Sequence, residues 1–201
     1  MLLQKKQAAP AFSAVNQDNK PVNLSDYKGK KHVVLYFYPK DDTPGCTKES
    51  CDFRDVESQI LRAGGTIVGV SLDGKESHQK FIKKFGLPFP LLSDEDAAVS
   101  KSYGVYKEKS MYGKKYWGIE RSTFVIDQEG LLKAIFRKVK VTGHVDEVLE
   151  QVTRFRGLVA VADALAEMTV QAAGHQGQLQ VAVHLQRHGR RERVHMEEVD
   201  P

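Results

Sequence analysis

The two cysteines of the chain, Cys46 and Cys51, lie five residues apart within residues 36–51, YFYPKDDTPGCTKESC. Cys46 follows Pro44 and Gly45 at the predicted start of a helix, where free backbone N–H groups and the positive end of the helix dipole stabilise a thiolate. Because the thiolate is the reactive form of cysteine, Cys46 is predicted to be the better nucleophile of the pair. The hydroxyl of Thr43, in the same turn, can point at the same site.

The spacing of the two thiols predicts how they react with each other. If the helix is intact, its rise and rotation place the Cα atoms of Cys46 and Cys51 about 8.6 Å apart on different faces. A disulfide needs Cα atoms within about 7 Å of each other. The pair therefore bonds only after the helix unwinds, which indicates a switching pair rather than a structural disulfide.

Metal binding and simple core packing are alternative interpretations of the pair. The C-x4-C spacing matches the start of the plant-type iron–sulfur pattern, but such clusters and structural zinc sites need four ligands. The chain has no third cysteine, and no histidine lies between His32 and His78. Packing as small apolar groups does not explain the polar, turn-forming residues around the thiols. We predict no metal and no cofactor.

The composition narrows the class of protein. The chain has 201 residues, 41% of them hydrophobic, with 30 basic and 26 acidic residues and a formal net charge of +4. This mixed charge is not the footprint of a nucleic-acid-binding protein. The sequence shows neither a signal peptide nor an uncharged apolar stretch near 18 residues, so we expect no membrane span. We expect a cytoplasmic protein, in a reducing compartment where neighbouring cysteines serve catalysis, redox sensing or metal binding.

Two apolar runs predict β-strands on either side of the cysteine helix. Residues 32–38 and 66–72 are too apolar to alternate, which is typical of strands buried on both faces. Between them, apolar residues recur at helical spacing until Gly64 and Gly65 end the helix. The order predicts a β-α-β unit with parallel strands and a right-handed crossover.

The rest of the chain up to about residue 155 adds helices and an antiparallel hairpin to this unit. Prolines at 88 and 90 limit strand pairing in LPFPLLSD. The further predicted elements are a helix over 75–85, a short helix around 96–103, a β-hairpin of 122–127 and 131–138, and an amphipathic helix capped by Thr142. Together these elements predict an α/β sheet with an antiparallel edge.

A change in composition near residue 140 indicates two parts of the chain. All twenty lysines lie at or before Lys140, whereas six of the ten arginines lie beyond it. We predict a compact domain over 1–156 and a C-terminal extension of unknown role over 157–201, partly disordered. The extension is either a partner-docking or oligomerising arm or a dispensable appendage.

Three separated segments resemble peroxiredoxins, which are thiol peroxidases with a thioredoxin-like fold. Residues 39–46, PKDDTPGC, match the P-x-x-x-T-x-x-C motif, and a second cysteine five residues later resembles the bacterioferritin comigratory protein, or peroxiredoxin Q, subfamily. Residues 118–127, GIERSTFVID, are similar to the segment that carries the family's active-site arginine, and 11–30 to its N-terminal β-hairpin. The resemblance spans roughly 7–156 and implies a central mixed β-sheet flanked by helices, with an N-terminal β-hairpin.

The resemblance also implies a role for each of five residues. Cys46 would be the peroxidatic thiolate that becomes a sulfenic acid, and Cys51 the resolving thiol that closes an intramolecular disulfide. Thr43 and Arg121 would hold the peroxide and stabilise charge, and Pro39 would shape the loop and shield the sulfenic acid. The substrates would be hydrogen peroxide and organic hydroperoxides, with thioredoxin or a similar dithiol as reductant. A pair within one chain makes a monomer sufficient.

Two other functions stay open as alternatives. A thioredoxin-like disulfide oxidoreductase would favour a C-x-x-C pair, whose thiols can bond within one helical turn. A non-enzymatic redox sensor would read out the oxidation of Cys46 through the extension.

Several other polar and aromatic residues have structural interpretations. Glu49 is expected to complement the helix dipole rather than to shuttle protons. Tyr116 and Trp117 are expected to pack near the pocket, and His32 and His78 are assigned no chemistry.

Overall fold

The computed structural model describes residues 3–111 and 113–154. All of them belong to the first of the chain's two units, Met1–Arg156. The predicted extension over 157–201 lies outside the described residues, so its predicted boundary and role stay predictions.

Nine strands and four α-helices form the described part of the chain. The strands are β1 (Ser13–Asn16), β2 (Pro21–Asn23), β3 (His32–Phe37), β4 (Gly65–Ser71), β5 (Leu91–Ser93), β6 (Tyr106–Met111), β7 (Lys114–Ile119), β8 (Ser122–Ile126) and β9 (Leu132–Arg137). The helices are α1 (Pro44–Arg62), α2 (Lys75–Phe85), α3 (Ala98–Ser102) and α4 (residues 144–154), and a 3-10 turn covers Leu24–Tyr27.

Seven of these strands form one mixed sheet in the order β2-β1-β5-β4-β3-β8-β9. Strands β3, β4 and β5 are parallel, while β8 runs antiparallel to β3 and β9 antiparallel to β8. The predicted β-α-β unit is therefore present as β3-α1-β4, and the predicted hairpin as β8-β9. The predicted N-terminal hairpin is also confirmed, with Ser13 opposite Asn23.

Strand β3 is buried on both faces, as its apolar sequence predicts. Val34 and Tyr36 face a core that includes Phe53 of α1, whereas Leu35 and Phe37 face the opposite core. Helices α1, α2 and α4 contribute to the first core, and the N-terminal segment and α3 to the second. Burial of each such side chain stabilises the fold by roughly 1.5–3 kcal/mol, which fixes α1 against the sheet.

Helix α1 begins and ends as its sequence predicts. Thr43 has extended backbone angles and precedes Pro44 at the first helical position, where proline needs no N–H partner. At the other end Gly64 adopts a φ of 78°, a conformation that glycine accepts without steric cost. Because α1 follows β3 after the short segment 38–43, its start lies at the carboxyl end of that strand.

Two elements differ from the sequence expectations. Strand β5 forms directly after Pro88 and Pro90, because both prolines precede the residues whose N–H groups pair. Strands β6 and β7 form a separate two-stranded sheet that was not predicted.

The side chains of the β6-β7 hairpin also differ from expectation. Tyr116 and Trp117 are 43% and 59% exposed, so the expectation that they pack near the pocket is wrong. Trp117 instead stacks on Tyr106 across the hairpin, with ring centroids 5.4 Å apart. No helix in the described ranges is long and apolar enough to span a membrane.

Candidate active site

Cys46 lies in the first turn of α1 with its side chain 1% exposed. The first helical hydrogen bond runs from the N–H of Thr47 to the carbonyl of Thr43, at 2.8 Å. The N–H groups of Gly45 and Cys46 precede it and have no acceptor within the helix. The sulfur therefore lies beside free donors at the positive end of the helix dipole.

Arg121 brings a cationic side chain to the same sulfur. It directly precedes β8, whose first residue, Ser122, pairs with Phe37 at the end of β3. This register places Arg121 beside the start of α1, where its Nη2 donates to Cys46 Sγ at 3.1 Å. A Cβ atom on Gly45 would lie 3.4 Å from the same nitrogen, so the guanidinium lies directly against this glycine.

Glu49 holds the other side of the Arg121 guanidinium. It lies three residues after Cys46 on the inward face of α1, fully buried, and its Oε2 accepts a hydrogen bond from Arg121 Nη1. Its Oε1 is buried without a hydrogen-bond partner in the described part of the chain. The first turn of α1 holds no acidic residue, so the prediction that Glu49 complements the helix dipole from that turn is wrong.

Burial and charge act against each other at this ion pair. Burial raises the pKa of Glu49 to about 7, although the Arg121 guanidinium opposes the shift. For Arg121, burial disfavours the charge, but the neighbouring Glu49 and Cys46 outweigh it and raise its pKa. The guanidinium therefore stays charged, and Glu49 changes protonation near neutral pH.

Thr43 and Pro39 lie in the segment that joins β3 to α1. Thr43 makes no side-chain cap to the helix, and its hydroxyl donates to the carbonyl of Lys40 at 3.0 Å. Pro39 is half-buried and precedes this turn. Because its proton is donated to Lys40, the Thr43 oxygen has only lone pairs to offer a further partner.

Cys51 lies further along the same unbroken helix. Both cysteines are free, Cys46 buried and Cys51 half-buried. Between them, the hydroxyls of Ser50 and Tyr36 share a buried hydrogen bond of 3.0 Å. This bond and the Glu49–Arg121 pair hold the turn that separates the thiols.

Two charged residues of the site have no clear signal in the sequence. Glu49 is an ordinary acid near a helix start, and only its distant partner explains its burial. Lys109 of β6 donates to the carbonyl of Ile119, and its pKa is lowered by burial and then by the charge of Arg121. Within 3–111 and 113–154, no three His, Cys, Asp or Glu side chains form a group that could hold a metal ion.

Comparison with known proteins identifies the family. Residues 6–135 match the model described as the AhpC/TSA family. The chain belongs to the AhpC/TSA family. A relative in this family, the putative peroxiredoxin bcp of Coxiella burnetii, is 54% identical over 149 residues, which cover 74% of this chain and 98% of the relative.

Solved structures of AhpC/TSA relatives agree with the fold. Xanthomonas campestris peroxiredoxin Q matches with a TM-score of 0.69 and 43% identity, covering 72% of this chain and 91% of that one. The bacterioferritin comigratory protein of the same organism, in structures that concern its alkyl peroxide reduction activity, matches with a TM-score of 0.69 and 42% identity, covering 72% and 92%.

These matches confirm the predicted family, enzyme class and thioredoxin-like fold. The chain is a thiol peroxidase of the peroxiredoxin class, as its motif predicts. The disulfide oxidoreductase and the non-enzymatic sensor are not supported by them.

Proposed function

We propose that Cys46 is the peroxidatic residue and that the chain reduces hydrogen peroxide and organic hydroperoxides, including alkyl ones. The observation that carries this proposal is the 3.1 Å contact between Arg121 Nη2 and Cys46 Sγ at a helix start. Helix dipole, free N–H groups and guanidinium all favour a thiolate at this sulfur. The alkyl peroxide activity of the related Xanthomonas campestris protein supports the substrate class.

The first step breaks the O–O bond of the hydroperoxide. The Cys46 thiolate attacks the terminal oxygen and the S–O bond forms as the O–O bond breaks. The remaining oxygen departs with the bonding electrons and takes a proton from solvent to leave as water or alcohol. Cys46 becomes a sulfenic acid. Arg121 and the Cys46 N–H stabilise the charge that moves onto the two oxygens. Thr43 accepts the hydrogen bond of the hydroperoxide proton, because its own proton is donated to Lys40.

The second step joins the two thiols of the chain. Residues of α1 between Cys46 and Cys51 unwind, and the Cys51 thiolate attacks the Cys46 sulfur. The S–S bond forms and hydroxide leaves as water. Pro39, half-buried in the segment that precedes the helix, shields the sulfenic acid from solvent until the helix opens.

The third step restores the dithiol. Thioredoxin or a similar dithiol attacks the disulfide and becomes oxidised itself. We place this cycle in the cytoplasm and in a monomer. Two cysteines within one helix support the monomer, because the disulfide needs no second chain, and a neighbouring cysteine pair with a redox role suits a reducing compartment.

The test is a count of thiols after rapid mixing with one equivalent of hydrogen peroxide. The reduced chain has two thiols and no other cysteine, so complete reaction takes the count from two to zero. Cys46→Ser is expected to abolish the reaction. Cys51→Ser is expected to stop at a sulfenic acid, which a sulfenic-acid-specific carbon nucleophile traps. Slow thiol loss in the unmodified protein, or activity retained in Cys46→Ser, would refute the proposal.

A further inference from the structure

A buried polar cluster connects the segment before Cys46 to helix α2. Its centre is Asp41, five residues before the thiol and 6% exposed. Oδ1 of Asp41 accepts from the Tyr38 hydroxyl at 2.7 Å. Oδ2 accepts from the Ser77 hydroxyl at 2.7 Å and lies 2.9 Å from Nδ1 of His78. The backbone N–H of Asp41 donates to Asp73 at 2.8 Å, so both its backbone and its side chain are held.

The contacts of His78 place a hydrogen-bond acceptor at each of its ring nitrogens. The ring is fully buried, with Nδ1 at the Asp41 carboxylate and Nε2 at 3.2 Å from the carbonyl oxygen of Leu92. Both neighbours only accept hydrogen bonds. Tyr38 lies 3.5 Å from Nδ1, but its proton is donated to Asp41 over the shorter distance. Burial raises the pKa of Tyr38, so its hydroxyl keeps that proton. With an ionised Asp41, a His78 ring that donates from both nitrogens satisfies both acceptors.

The chain between this cluster and Cys46 has a backbone conformation that needs support. Asp42 has a φ of 54°, in the left-handed region that non-glycine residues seldom occupy. Such residues persist where neighbouring contacts fix them. Asp42 has a side-chain ion pair with Lys84 at 2.7 Å, but both side chains are about half exposed and such pairs contribute little. The buried contacts of Asp41 are the stronger support.

We propose that Asp41 and His78 are positioning residues for the peroxide reaction, as a buried carboxylate–imidazolium pair that fixes the segment before Thr43 to α2. Neither residue touches the sulfur. They act through the backbone of Asp42, which sets where the Thr43 oxygen and the Cys46 N–H lie. The inference rests on the proposed function, because it concerns the peroxide step at Cys46.

The protonation of His78 can be measured in the unmodified protein. With ¹⁵N-labelled histidine, the two ring nitrogens of His78 are expected to give imidazolium shifts, with one proton on each. The His78→Gln spectrum assigns the resonances among the seven histidines. A ring that carries one proton would overturn the pair, whatever any variant does.

Asp41→Asn tests positioning, because it removes the carboxylate charge that faces His78 and replaces one of the two acceptor oxygens with an N–H group, so that one hydroxyl partner loses its acceptor. We expect its rate constant with hydrogen peroxide to fall about 10- to 100-fold. Alkylation of Cys46 by iodoacetamide does not use the peroxide-binding groups, so its rate constant is expected to change by less than about threefold. The variant is made on a Cys51→Ser background so that only Cys46 is alkylated. Lys84→Gln, which removes the exposed pair on the same segment, is the control and should leave both rates nearly unchanged.

The outcomes separate the two proposals. Suppose that the unmodified chain reacts fast with peroxide, but Asp41→Asn lowers the rate constants with hydrogen peroxide and with iodoacetamide equally. This result would overturn the positioning role alone. Absence of a fast reaction in the unmodified chain would overturn the proposed function and the positioning role with it. If Asp41→Asn does not fold, the positioning role is tested by the histidine spectrum and by the ratio of the hydrogen peroxide and iodoacetamide rate constants in His78→Gln.

Discussion

Nη2 of Arg121 lies 3.1 Å from Sγ of Cys46, although 75 residues separate them along the chain. The antiparallel pairing of β8 with β3 creates this contact, since it aligns the start of β8 with the end of β3. The guanidinium also bonds Glu49, so one side chain connects the sulfur to a buried carboxylate. The reactivity of the thiol therefore depends on the tertiary fold as well as on its own helix.

Arg121→Lys is expected to lower the rate constant of Cys46 with hydrogen peroxide by about 100-fold or more. A lysine ammonium donates from a single nitrogen, so it cannot reproduce the contacts to Cys46 and Glu49 that the planar guanidinium makes from two separate nitrogens. Quenched-flow thiol counting gives the rate constant. Arg137→Lys is the matched control, because Arg137 is also half-buried but bonds the carbonyls of Tyr103 and Gly104. An equal loss in both variants would contradict the prediction.

Glu49→Gln is expected to change how stability depends on pH. Burial raises the pKa of Glu49 from 4.5 to about 7, so the folded chain binds this proton more tightly than the unfolded chain. The resulting stabilisation is complete below about pH 4.5 and is lost as the pH rises through about 7. The unfolding free energy of the unmodified chain, relative to the variant, should therefore fall by roughly 2–3 kcal/mol over this window. Urea unfolding followed by far-ultraviolet circular dichroism measures it, and a constant difference would refute it.

His144→Gln is expected to show the opposite trend. His144 is buried at the start of α4, with Nε2 2.8 Å from the Thr123 hydroxyl. Burial, and then the charge of Arg121, lowers its pKa to about 4. The stabilisation is present above about pH 6.5 and is lost as the pH falls through about 4, so the unmodified chain should lose roughly 2–3 kcal/mol relative to the variant. The same urea titrations apply, and parallel curves for the two proteins would contradict it.

Ser50→Ala is expected to speed disulfide formation without slowing the peroxide step. The change removes the buried bond to Tyr36 and leaves that hydroxyl unpartnered, which costs the intact helix about 1–3 kcal/mol. Unwinding between the two thiols then becomes easier, and the second phase of thiol loss should accelerate by about 5- to 150-fold.

Ser102→Ala is the control for this effect. It also removes a hydroxyl hydrogen bond, from Ser102 to the carbonyl of Val99 at 2.8 Å, but on α3. Its second phase is expected to keep the unmodified rate. A Ser50→Ala protein with an unchanged or slower second phase would show that this bond does not restrain the unwinding.

The elements that the sequence predicts well are those with a strong local pattern. Helix α2 was expected over 75–85 and forms over Lys75–Phe85, because its apolar residues recur at helical spacing and Gly86 ends it. The hairpin of β6 and β7 lacks such a pattern. Three of the six residues of β6 are charged, and the hairpin pairs outside the main sheet. The sequence of β6 therefore shows no alternation of apolar and polar residues from which a strand could be predicted.

The site residues that belong to a sequence motif could be predicted. Those whose role depends on a partner far away in the sequence could not. The motif singles out Cys46, Thr43 and Pro39 within eight residues, and the resemblance adds Arg121. The burial of Glu49 depends on a guanidinium 72 residues away, and the burial of His78 on a carboxylate 37 residues away. Helical periodicity predicts that Glu49 lies near a helix start and that His78 lies on a helix. It does not predict their partners, Arg121 and Asp41.

The exposed position of Trp117 determines how this protein can be studied by spectroscopy. It is the single tryptophan of the chain and is 59% exposed on the β6-β7 hairpin, beside Tyr106. Its emission in the native state is expected to lie close to that of an indole in water, with little shift on denaturation. Tyr36, Tyr38 and Tyr103 are fully buried, so their near-ultraviolet circular dichroism records the loss of the core. Tryptophan emission in this enzyme is therefore a probe of the hairpin surface and of whatever binds there.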